Sequence, residues 1–378
     1  MSKSPIRVLQ VIADFKKGGV QAEVIYPARL LSQEKVHFDV MLLSDTIGYY
    51  EDEFKEYGEL FRIPLKRKPT KIQRFLSLFT DYSYVKKEML KFFDAHQGYD
   101  AVHVRNLLYN APVINAAKKV RVPVRIAHCA VDRPHGKYKD RLFVTLYLKF
   151  CAYVLRNNAT KIFGVTESAV EYIAGEGNGI VMKNPTIALD RFNQEKYPNK
   201  NTDGVIRLIM VGSFSSRKNQ KFTIEVLREL CEKKPDSTLT LIGYPRSPKE
   251  TYVPEMKQMI QDYYLEDHVI FLPQDTDIPL AMSEATFLMM PSIQEGLPNV
   301  ALEAQAMGLP CYISDDVSDE CDCGLCHFLP LDKGAAYWAD VLIKHVEEHG
   351  FEKHYPDMSE WDNKKISEEY LEYWRGNK

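Results

Sequence analysis

Residues 291–310 read PSIQEGLPNVALEAQAMGLP and follow a short apolar run, 286–290, that is typical of a buried strand. Pro298 suits the first turn of a helix, where a missing backbone N–H costs nothing, and Gly308 is a typical helix terminator. The segment 295–297 is therefore predicted to lie in a turn between a strand and a helix. Free backbone N–H groups and the positive end of the helix dipole make such a turn an anion site that suits a diphosphate.

Two carboxylates bracket this turn, Glu295 before the predicted helix and Glu303 within it. A carboxylate beside an anion site is better suited to accepting hydrogen bonds from hydroxyl groups than to binding the anion itself. A ligand that carries both phosphate and hydroxyl groups is a sugar nucleotide. Glutamates at this spacing are also common on the solvated face of a helix, so the whole string, rather than the pair, favours the functional interpretation.

The composition is that of a globular protein, with 378 residues, 45% of them hydrophobic and 27% charged. A chain of this length exceeds one ordinary hydrophobic core, so two domains are expected. The seven cysteines are scattered and no signal peptide is evident, which predicts a reducing, cytoplasmic compartment. The longest apolar stretch, 142–155, contains Lys149 and is too short to span a bilayer.

Charge is divided unevenly along the chain. Residues 1–190 carry 29 Lys and Arg against 20 Asp and Glu, whereas the remaining residues carry 20 against 32. The difference predicts two domains of which the first faces something anionic; ordinary surface variation is the alternative. Residues 66–79 mix cations with aromatic and aliphatic side chains, which suits either peripheral contact with the anionic inner face of a membrane or packing on the same domain. No nucleic-acid recognition motif is present, so nucleic acid is not an expected partner.

Short runs of branched residues alternate with helical patterns, which predicts βαβ units and parallel sheets. The runs lie at 7–13, 37–43, 100–104, 124–128 and 161–165 in the first half and at 206–212, 238–243 and 268–272 in the second. Ligands in such sheets bind at the carboxyl ends of the strands, where Gly18, His103, Arg105 and His128 fall. The polar stretch 193–203 is interpreted as a linker.

The string 291–310, with its two glutamates and its closing Gly-Leu-Pro, resembles the retaining glycosyltransferases of family 4. The resemblance implies an α/β fold of the GT-B type, in which two Rossmann-like parallel-sheet domains face a central cleft and the last helix crosses back to the first domain. It assigns residues 1–195 to an acceptor-binding domain and 204–357 to a domain that binds a nucleotide sugar. Residues 358–378 then form the crossing helix.

The same resemblance implies a role for each site residue. Glu295 and His128 are expected to be catalytic, and the donor is expected to be bound by Gly18, Gly19, Gly212, Ser213, Arg217, Lys218, Gly296, Leu297, Pro298, Asn299 and Glu303. Within this set Lys218 would hold the diphosphate, Glu295 the sugar hydroxyls and Glu303 the ribose. His128 resembles a histidine that reaches the donor sugar, although a histidine that only caps its strand is the alternative.

One position departs from the family pattern. Ser213 stands where the family usually has an arginine, and Arg217, at the other end of the same loop, is the residue that could supply the missing charge. A cation at a helix start opposes the dipole unless an anion is bound, which favours a role for the pair Arg217-Lys218 in holding phosphate over a purely solvated pair.

The function implied by the resemblance is that of a retaining, metal-independent hexosyltransferase without a cofactor. It would move a sugar from a nucleotide diphosphate, UDP by preference, to a glycan or lipid-linked acceptor in exopolysaccharide or capsule synthesis. A sugar-nucleotide epimerase or hydrolase of the same fold and a catalytically silent scaffold are the alternatives. The pair Gly18-Gly19 does not fit G-x-G-x-x-G, so a dinucleotide oxidoreductase loses support. Cys323 and Cys326 have the spacing of half a zinc site, and chance thiols in a loop are the alternative.

Overall fold

The computed structural model describes residues 4–16, 18–32, 34–64, 74–105, 110–129, 142–245 and 251–378. The chain divides into two compact units: unit 1 comprises Met1–Thr186 with Glu360–Lys378, and unit 2 comprises Ile187–Ser359. Most of the basic stretch 66–79 falls outside the described residues, so its interpretation as a membrane-contacting segment stays a prediction. None of the described helices is long and apolar enough to cross a membrane.

Unit 1 is a parallel sheet with helices on both faces. Its elements are β1 (Ile6–Ile12), α1 (Gly19–Leu31), β2 (Val36–Leu42), α2 (Glu51–Phe54), β3 (Gly58–Arg62), α3 (Arg74–Ala95), β4 (Ala101–Val104), α4 (Asn110–Lys119), β5 (Val124–Cys129), α5 (Leu142–Asn158), β6 (Lys161–Gly164), α6 (Glu167–Ala174) and β7 (Ile180–Val181). The described strands pair in the order β3-β2-β1-β4-β5-β6-β7. Strands covered on both faces are almost continuously apolar, which is why these runs stood out in the sequence.

One further helix of unit 1 comes from the distant carboxyl-terminal segment. This helix, α12 (Asn363–Trp374), buries Ile366, Tyr370 and Trp374 in the core that covers one face of the unit 1 sheet. Trp374 packs edge-on against Phe38 of β2, with ring centroids 5.5 Å apart. The prediction that the last helix returns to the first domain is confirmed as part of the fold class.

Unit 2 repeats the plan with six strands among the described residues. Its elements are β8 (Arg207–Val211), α7 (Gln220–Lys233), β9 (Thr238–Ile242), α8 (Tyr252–Asp262), β10 (Val269–Leu272), α9 (Ile278–Glu284), β11 (Phe287–Met290), α10 (Asn299–Ala306), β12 (Cys311–Ser314), β13 (Cys326–Leu329) and α11 (Gly334–His349). The strand order is β10-β9-β8-β11-β12-β13, and all the pairs are parallel.

The stretch 193–203 lies in unit 2 rather than between the units. Tyr197 donates its phenolic hydroxyl to Asp277 Oδ2 at 2.9 Å, and the Lys200 N–H donates to the carbonyl of Ser283 at 3.0 Å. These bonds tie the polar segment to α9 and its flanks. The chain therefore changes unit between Thr186 and Ile187, ahead of the polar stretch.

Two details of the sequence interpretation were wrong. Pro298 occupies the N-cap of α10 rather than its first turn, because the backbone at Pro298 is still extended and the helix begins at Asn299. Cys326 is not a loop thiol but lies on β13, opposite Cys311 on the paired strand β12. Free cysteine behaves as a small hydrophobic residue, which suits Cys311 on the buried strand β12. Among the described residues, no group of three His, Cys, Asp or Glu side chains is placed to hold a metal ion.

Candidate functional site

Strand order marks the place of a candidate ligand site in each sheet. In unit 2 the chain runs from β8 outward to β10, then returns to β11 beside β8 and runs outward the other way. The loops that follow β8 and β11 run in opposite directions. A crevice therefore opens between these loops, at the carboxyl ends of the two strands. In unit 2 these loops are 212–219 and 291–298. In unit 1 the corresponding neighbours are β1 and β4.

The loop 212–219 is shaped so that Lys218 folds back over the end of β8. Gly212 has a φ of +148°, and a Cβ built on it would lie 3.4 Å from Lys218 Cε. The N–H groups of Lys218 and Asn219 both donate to the carbonyl of Ser215 at 3.1 Å, and Asn219 takes a left-handed φ of 60° before α7 begins. Glycine tolerates the unusual φ and allows the close approach of the lysine stem.

A buried glutamine fixes the same loop from inside. Gln220 Nε2 donates to the carbonyl of Ser213 at 3.1 Å, and Gln220 Oε1 accepts from the N–H of Ser215 at 3.2 Å. The Ser213 backbone is thus part of the scaffold at the position where the family usually has an arginine.

The two loops are joined at Lys218 and Glu295. Lys218 Nζ lies 2.7 Å from Glu295 Oε1, and the two side chains are 14% and 9% exposed. A backbone bond of 2.9 Å from the Ile293 N–H to the Arg217 carbonyl connects the loops a second time. The structure therefore brings together two predicted site residues that lie far apart in the sequence, and it brings them together as an ion pair.

The start of α10 follows Glu295 closely in the sequence and has no side-chain cap of its own. Pro298 contributes no side-chain capping bond, and the first turn holds no acidic residue. Three buried donor atoms have no hydrogen-bond partner among the described residues. Ser215 Oγ and Arg217 Nε lie near Lys218 in the sequence, and Ser292 Oγ lies near Glu295. Hydroxyl and guanidinium donors left without acceptors, beside the positive end of a helix, match the chemistry of an anion site. Gly296 and Leu297 lie in the turn that leads into the helix, as predicted, and Asn299 is the first residue of the helix.

Glu303 differs from Glu295 in its surroundings. It is partly buried on α10, and burial raises its pKa to about 7, while the positive charge of Arg191 acts in the opposite direction. A carboxyl group with a pKa near neutrality can change its protonation state when a ligand binds. Arg191 was not singled out in the sequence, because nothing local to it indicates proximity to Glu303.

In unit 1 a second charged cluster lies deeper. Arg105, directly after β4, donates its Nε–H to Glu23 Oε2 of α1 at 3.0 Å, and the side chains are 1% and 2% exposed. Burial raises the pKa of Glu23 to about 7 even though Arg105 opposes that shift. The sequence did not indicate Glu23 as a site residue, because an acid on an amphipathic helix usually faces solvent; its apolar neighbours on α1 were the available signal.

His128 belongs to this deep cluster. Its side chain is 1% exposed, its Nδ1 lies 3.3 Å from His103 Nε2 and 3.9 Å from Glu23 Oε2, and its Nε2 has no partner among the described residues. Burial and the charge of Arg105 lower the pKa of His128 well below its usual value, so the imidazole is neutral near pH 7. Gly18 caps α1 nearby in an extended conformation, with a φ of −178°, which any residue can adopt. Gly19 begins the helix itself.

Comparisons with known proteins bear on both units. Residues 191–322 match the model of the family described as glycosyl transferases group 1. Over 360 residues the chain is 27% identical to the Bacillus subtilis protein named as glycosyltransferase EpsF, covering 91% of this chain and 88% of that protein. It is 26% identical to an Escherichia coli UDP-Gal:α-D-GlcNAc-diphosphoundecaprenol α-1,3-galactosyltransferase, covering 80% and 78% of the two chains.

A solved structure has the same fold. The Anabaena protein HepE in complex with UDP superposes with a TM-score of 0.69 at 16% identity, covering 98% of both chains. At that identity the likeness concerns the fold alone. It confirms the GT-B architecture expected for a chain with two Rossmann-like parallel-sheet units.

Proposed function

We propose that this chain is a group 1 glycosyltransferase, the family whose model residues 191–322 match, and that it moves a sugar from a nucleoside diphosphate to a glycan or lipid-linked acceptor. The reaction breaks the bond between sugar C1 and the diphosphate oxygen and forms a bond between C1 and an acceptor oxygen. The acceptor proton passes to the leaving diphosphate on the same face, so the configuration at C1 is retained and no separate base is needed.

The proposal rests above all on the ion pair between Lys218 and Glu295 at the crevice of unit 2. Lys218 Nζ, 2.7 Å from the carboxylate, can exchange this partner for a diphosphate, because phosphate oxygens offer the same kind of acceptor with more charge. The released Glu295 carboxylate is then free to accept hydrogen bonds from sugar hydroxyls. Glu303, further along α10, is proposed to accept from the ribose.

The charge that develops on the leaving diphosphate would be stabilised by groups already in place. These are Lys218, the start of α10 and the buried donors of Arg217, Ser215 and Ser292. Preorganised donors of this kind each contribute roughly 10²- to 10³-fold to a rate. The positive charge comes from side chains and backbone, so we propose that transfer proceeds without a divalent cation.

We propose UDP as the nucleotide and a lipid-linked sugar as the acceptor in the synthesis of a surface polysaccharide. The E. coli relative is named for a UDP-linked donor and a diphosphoundecaprenol-linked acceptor, and HepE is described in complex with UDP. In this proposal unit 2 binds the donor and unit 1 binds the acceptor.

A panel of UDP-, GDP- and ADP-sugars tested by thermal unfolding, with and without EDTA, examines the donor assignment. A ligand that binds only the folded state at 100 times its Kd stabilises that state by about 2.7 kcal/mol. We expect UDP and at least one UDP-sugar to raise Tm in EDTA. Transfer to a synthetic lipid-diphosphate sugar should then give a product whose C1 configuration, read by NMR, matches the donor.

The alternatives have distinct results in the same experiment. Release or epimerisation of the sugar in the absence of an acceptor identifies a hydrolase or epimerase. A chain that no nucleotide stabilises is a silent scaffold, and this result contradicts the proposal outright. Loss of transfer in EDTA, recovered with Mg²⁺, contradicts metal independence alone.

An outward face of α5 supports peripheral contact with an anionic bilayer. Leu146, Phe150 and Tyr153 are 51%, 38% and 67% exposed and share one side of the helix. Lys149 and Arg156 are exposed on the same helix, and α5 contains no acidic residue. On this helix the charged neighbours of the exposed apolar and aromatic side chains are all cations. Such a surface can lie at the boundary between anionic headgroups and acyl chains.

The membrane proposal is tested by sedimentation with phosphatidylglycerol vesicles. The double variant Leu146→Glu/Tyr153→Glu should bind vesicles much less than the wild type, and wild-type binding should weaken as salt is raised. Tyr337 on α11 is 40% exposed. The variant Tyr337→Glu is therefore the matched control and should bind vesicles as well as the wild type does. Binding that neither salt nor the double variant alters would rule out this face. Transfer to a water-soluble acceptor should be the same in all three proteins.

A further inference from the structure

Three rings form a continuous hydrogen-bonded chain through the interior of unit 1. Trp374 Nε1 of α12 donates to His103 Nδ1 of β4 at 3.2 Å, and His103 Nε2 lies 3.3 Å from His128 Nδ1 of β5. The three side chains are 0%, 0% and 1% exposed. The planes of the two imidazoles are nearly parallel, with 16° between them.

The indole of Trp374 sets the donor and the acceptor of both hydrogen bonds that link the three rings. An indole N–H can only donate, so His103 Nδ1 must be the acceptor and carries no proton. A neutral His103 then holds its proton on Nε2 and donates it to His128 Nδ1. His128 Nδ1 is therefore an acceptor as well, and the only place left for the proton of a neutral His128 is Nε2.

We propose that Trp374 and His103 are positioning residues that hold His128 as the Nε2–H tautomer, so that His128 presents a fixed hydrogen-bond donor to a hydroxyl oxygen of the bound sugar. The part concerning the sugar rests on the proposed function. The part concerning the tautomer depends only on the geometry of unit 1.

The surroundings of His128 support this assignment. His128 Nε2 finds no acceptor among the described residues, and a buried N–H without a partner is uncommon unless a ligand or water supplies one. The competing tautomer would aim an Nδ1–H at Glu23 Oε2, but that separation is 3.9 Å, too long for a hydrogen bond. The carboxylate instead accepts from Arg105 Nε at 3.0 Å.

Protonation of the pair is also disfavoured. Burial lowers the pKa of both histidines, and the Arg105 guanidinium lowers them further. A charged His103 would carry a proton on Nδ1 and could no longer accept from the indole. The chain of bonds is therefore compatible only with two neutral rings, each holding its proton on Nε2.

The tautomer can be read directly by NMR of protein labelled with ¹⁵N in its histidine rings, because protonated and unprotonated ring nitrogens have well-separated shifts. The His128 signals are assigned from the spectrum of His128→Gln. In the wild type we expect a protonated Nε2 and an unprotonated Nδ1. In Trp374→Phe and His103→Leu the constraint is lost, and His128 should show a mixture of tautomers.

Two further variants separate the tautomer from general effects on the fold. Trp338→Phe removes an equally buried indole N–H, which donates to the Pro330 carbonyl at 3.0 Å in unit 2, and should leave the His128 signals unchanged. His103→Gln retains an N–H donor near the position of His103 Nε2. It should keep the wild-type tautomer of His128 even if Trp374→Phe fails to fold.

Kinetics supply the second readout. Loss of one well-directed hydrogen bond is worth about 0.5–1.5 kcal/mol, so kcat/KM for sugar transfer should fall about two- to tenfold in His103→Leu and recover in His103→Gln. Activity that follows the thermal stability of the variants, rather than the tautomer, would overturn the positioning role.

A wild-type spectrum with the His128 proton on Nδ1 overturns the inference whatever the activity. Equal tautomers and equal kcat/KM in His103→Leu, His103→Gln and Trp338→Phe also overturn it. A wild type that binds no nucleotide sugar overturns the proposed function instead, and in that case the NMR spectra still decide whether Trp374 and His103 fix the ring.

Discussion

The two units each hold an ion pair beside the crevice of their sheet, and the pairs differ in depth. In unit 1, Arg105 and Glu23 are 1% and 2% exposed, whereas in unit 2, Lys218 and Glu295 are 14% and 9% exposed. A fully buried pair must keep its partner, because a lone charge in the interior is very costly. A pair that reaches the surface can exchange its partner for a ligand. The same topology therefore carries a structural pair in one unit and a pair suited to binding in the other.

Removing one partner of the buried pair should have the largest effect. Arg105→Met leaves Glu23 buried without its guanidinium and should lower the free energy of unfolding of unit 1 by about 3–5 kcal/mol. Urea unfolding followed by tryptophan fluorescence measures the change. The double variant Glu23→Gln/Arg105→Met should recover most of it. If Arg105→Met lowers the free energy of unfolding by less than about 1 kcal/mol, the buried pair does not depend on its partner more than the pair in unit 2 does.

Removing the cation of the shallower pair, Lys218 with Glu295, should affect activity rather than folding. Lys218→Ala should lower kcat/KM about 10²- to 10³-fold, with a much smaller change in unfolding free energy than Arg105→Met. Arg217→Ala is the neighbouring control and should lose less activity, because Lys218 is the residue that pairs with Glu295. The reverse order of the two losses would identify Arg217 as the main phosphate contact.

Removing the anion of the shallower pair should separate nucleotide binding from sugar transfer. Glu295→Gln frees Lys218, and since an accessible ion pair is worth up to about 1 kcal/mol, the affinity for UDP should rise by up to about fivefold while transfer slows. Isothermal titration calorimetry and initial rates measure the two effects. Glu303→Gln, on the same helix, should instead weaken UDP binding. Weaker UDP binding by Glu295→Gln would show that Glu295 does not compete for Lys218.

The last prediction concerns pH. Burial raises the pKa of Glu23 and of Glu303 from 4.5 to about 7, so the folded state binds these protons more tightly than the unfolded chain. Their stabilisation is complete below about pH 4.5 and is lost as the pH rises through about 7. Unfolding free energy measured from about pH 5 to about pH 8 should therefore fall less steeply in Glu303→Gln than in the wild type. Parallel curves would contradict the raised pKa of Glu303.

Local patterns predicted much of the fold and part of the site. The apolar runs gave most of the strands because parallel strands are buried on both faces, and residues 291–310 gave the turn and helix because helix ends have strong local signals. The strands β12 and β13 were missed because they are only four residues long and carry cysteines. Strand β3 was missed because its sequence mixes Gly, Glu and Arg with two apolar residues.

Contacts that depend on strand order could not be predicted from local patterns. The pairing of Lys218 with Glu295 follows from β8 lying beside β11, which the sequence does not state. The bond between Trp374 and His103 joins residues 271 positions apart. The burial of Glu23 depends on what packs over α1, so its helical pattern alone indicates an exposed acid.

The return of α12 to unit 1 has a consequence for biosynthesis. Five residues of α12 complete a core whose other members come from the first 182 residues, namely Ile366, Tyr370, Leu371, Tyr373 and Trp374. Unit 1 therefore leaves the ribosome with an open apolar surface. Unit 2, which is continuous in sequence, can finish folding while that surface still waits for its helix. Nascent chains stopped shortly before Asn363 should therefore resist proteolysis in unit 2 and bind a chaperone through unit 1. The chaperone should leave unit 1 once the helix has emerged, while unit 2 should stay resistant.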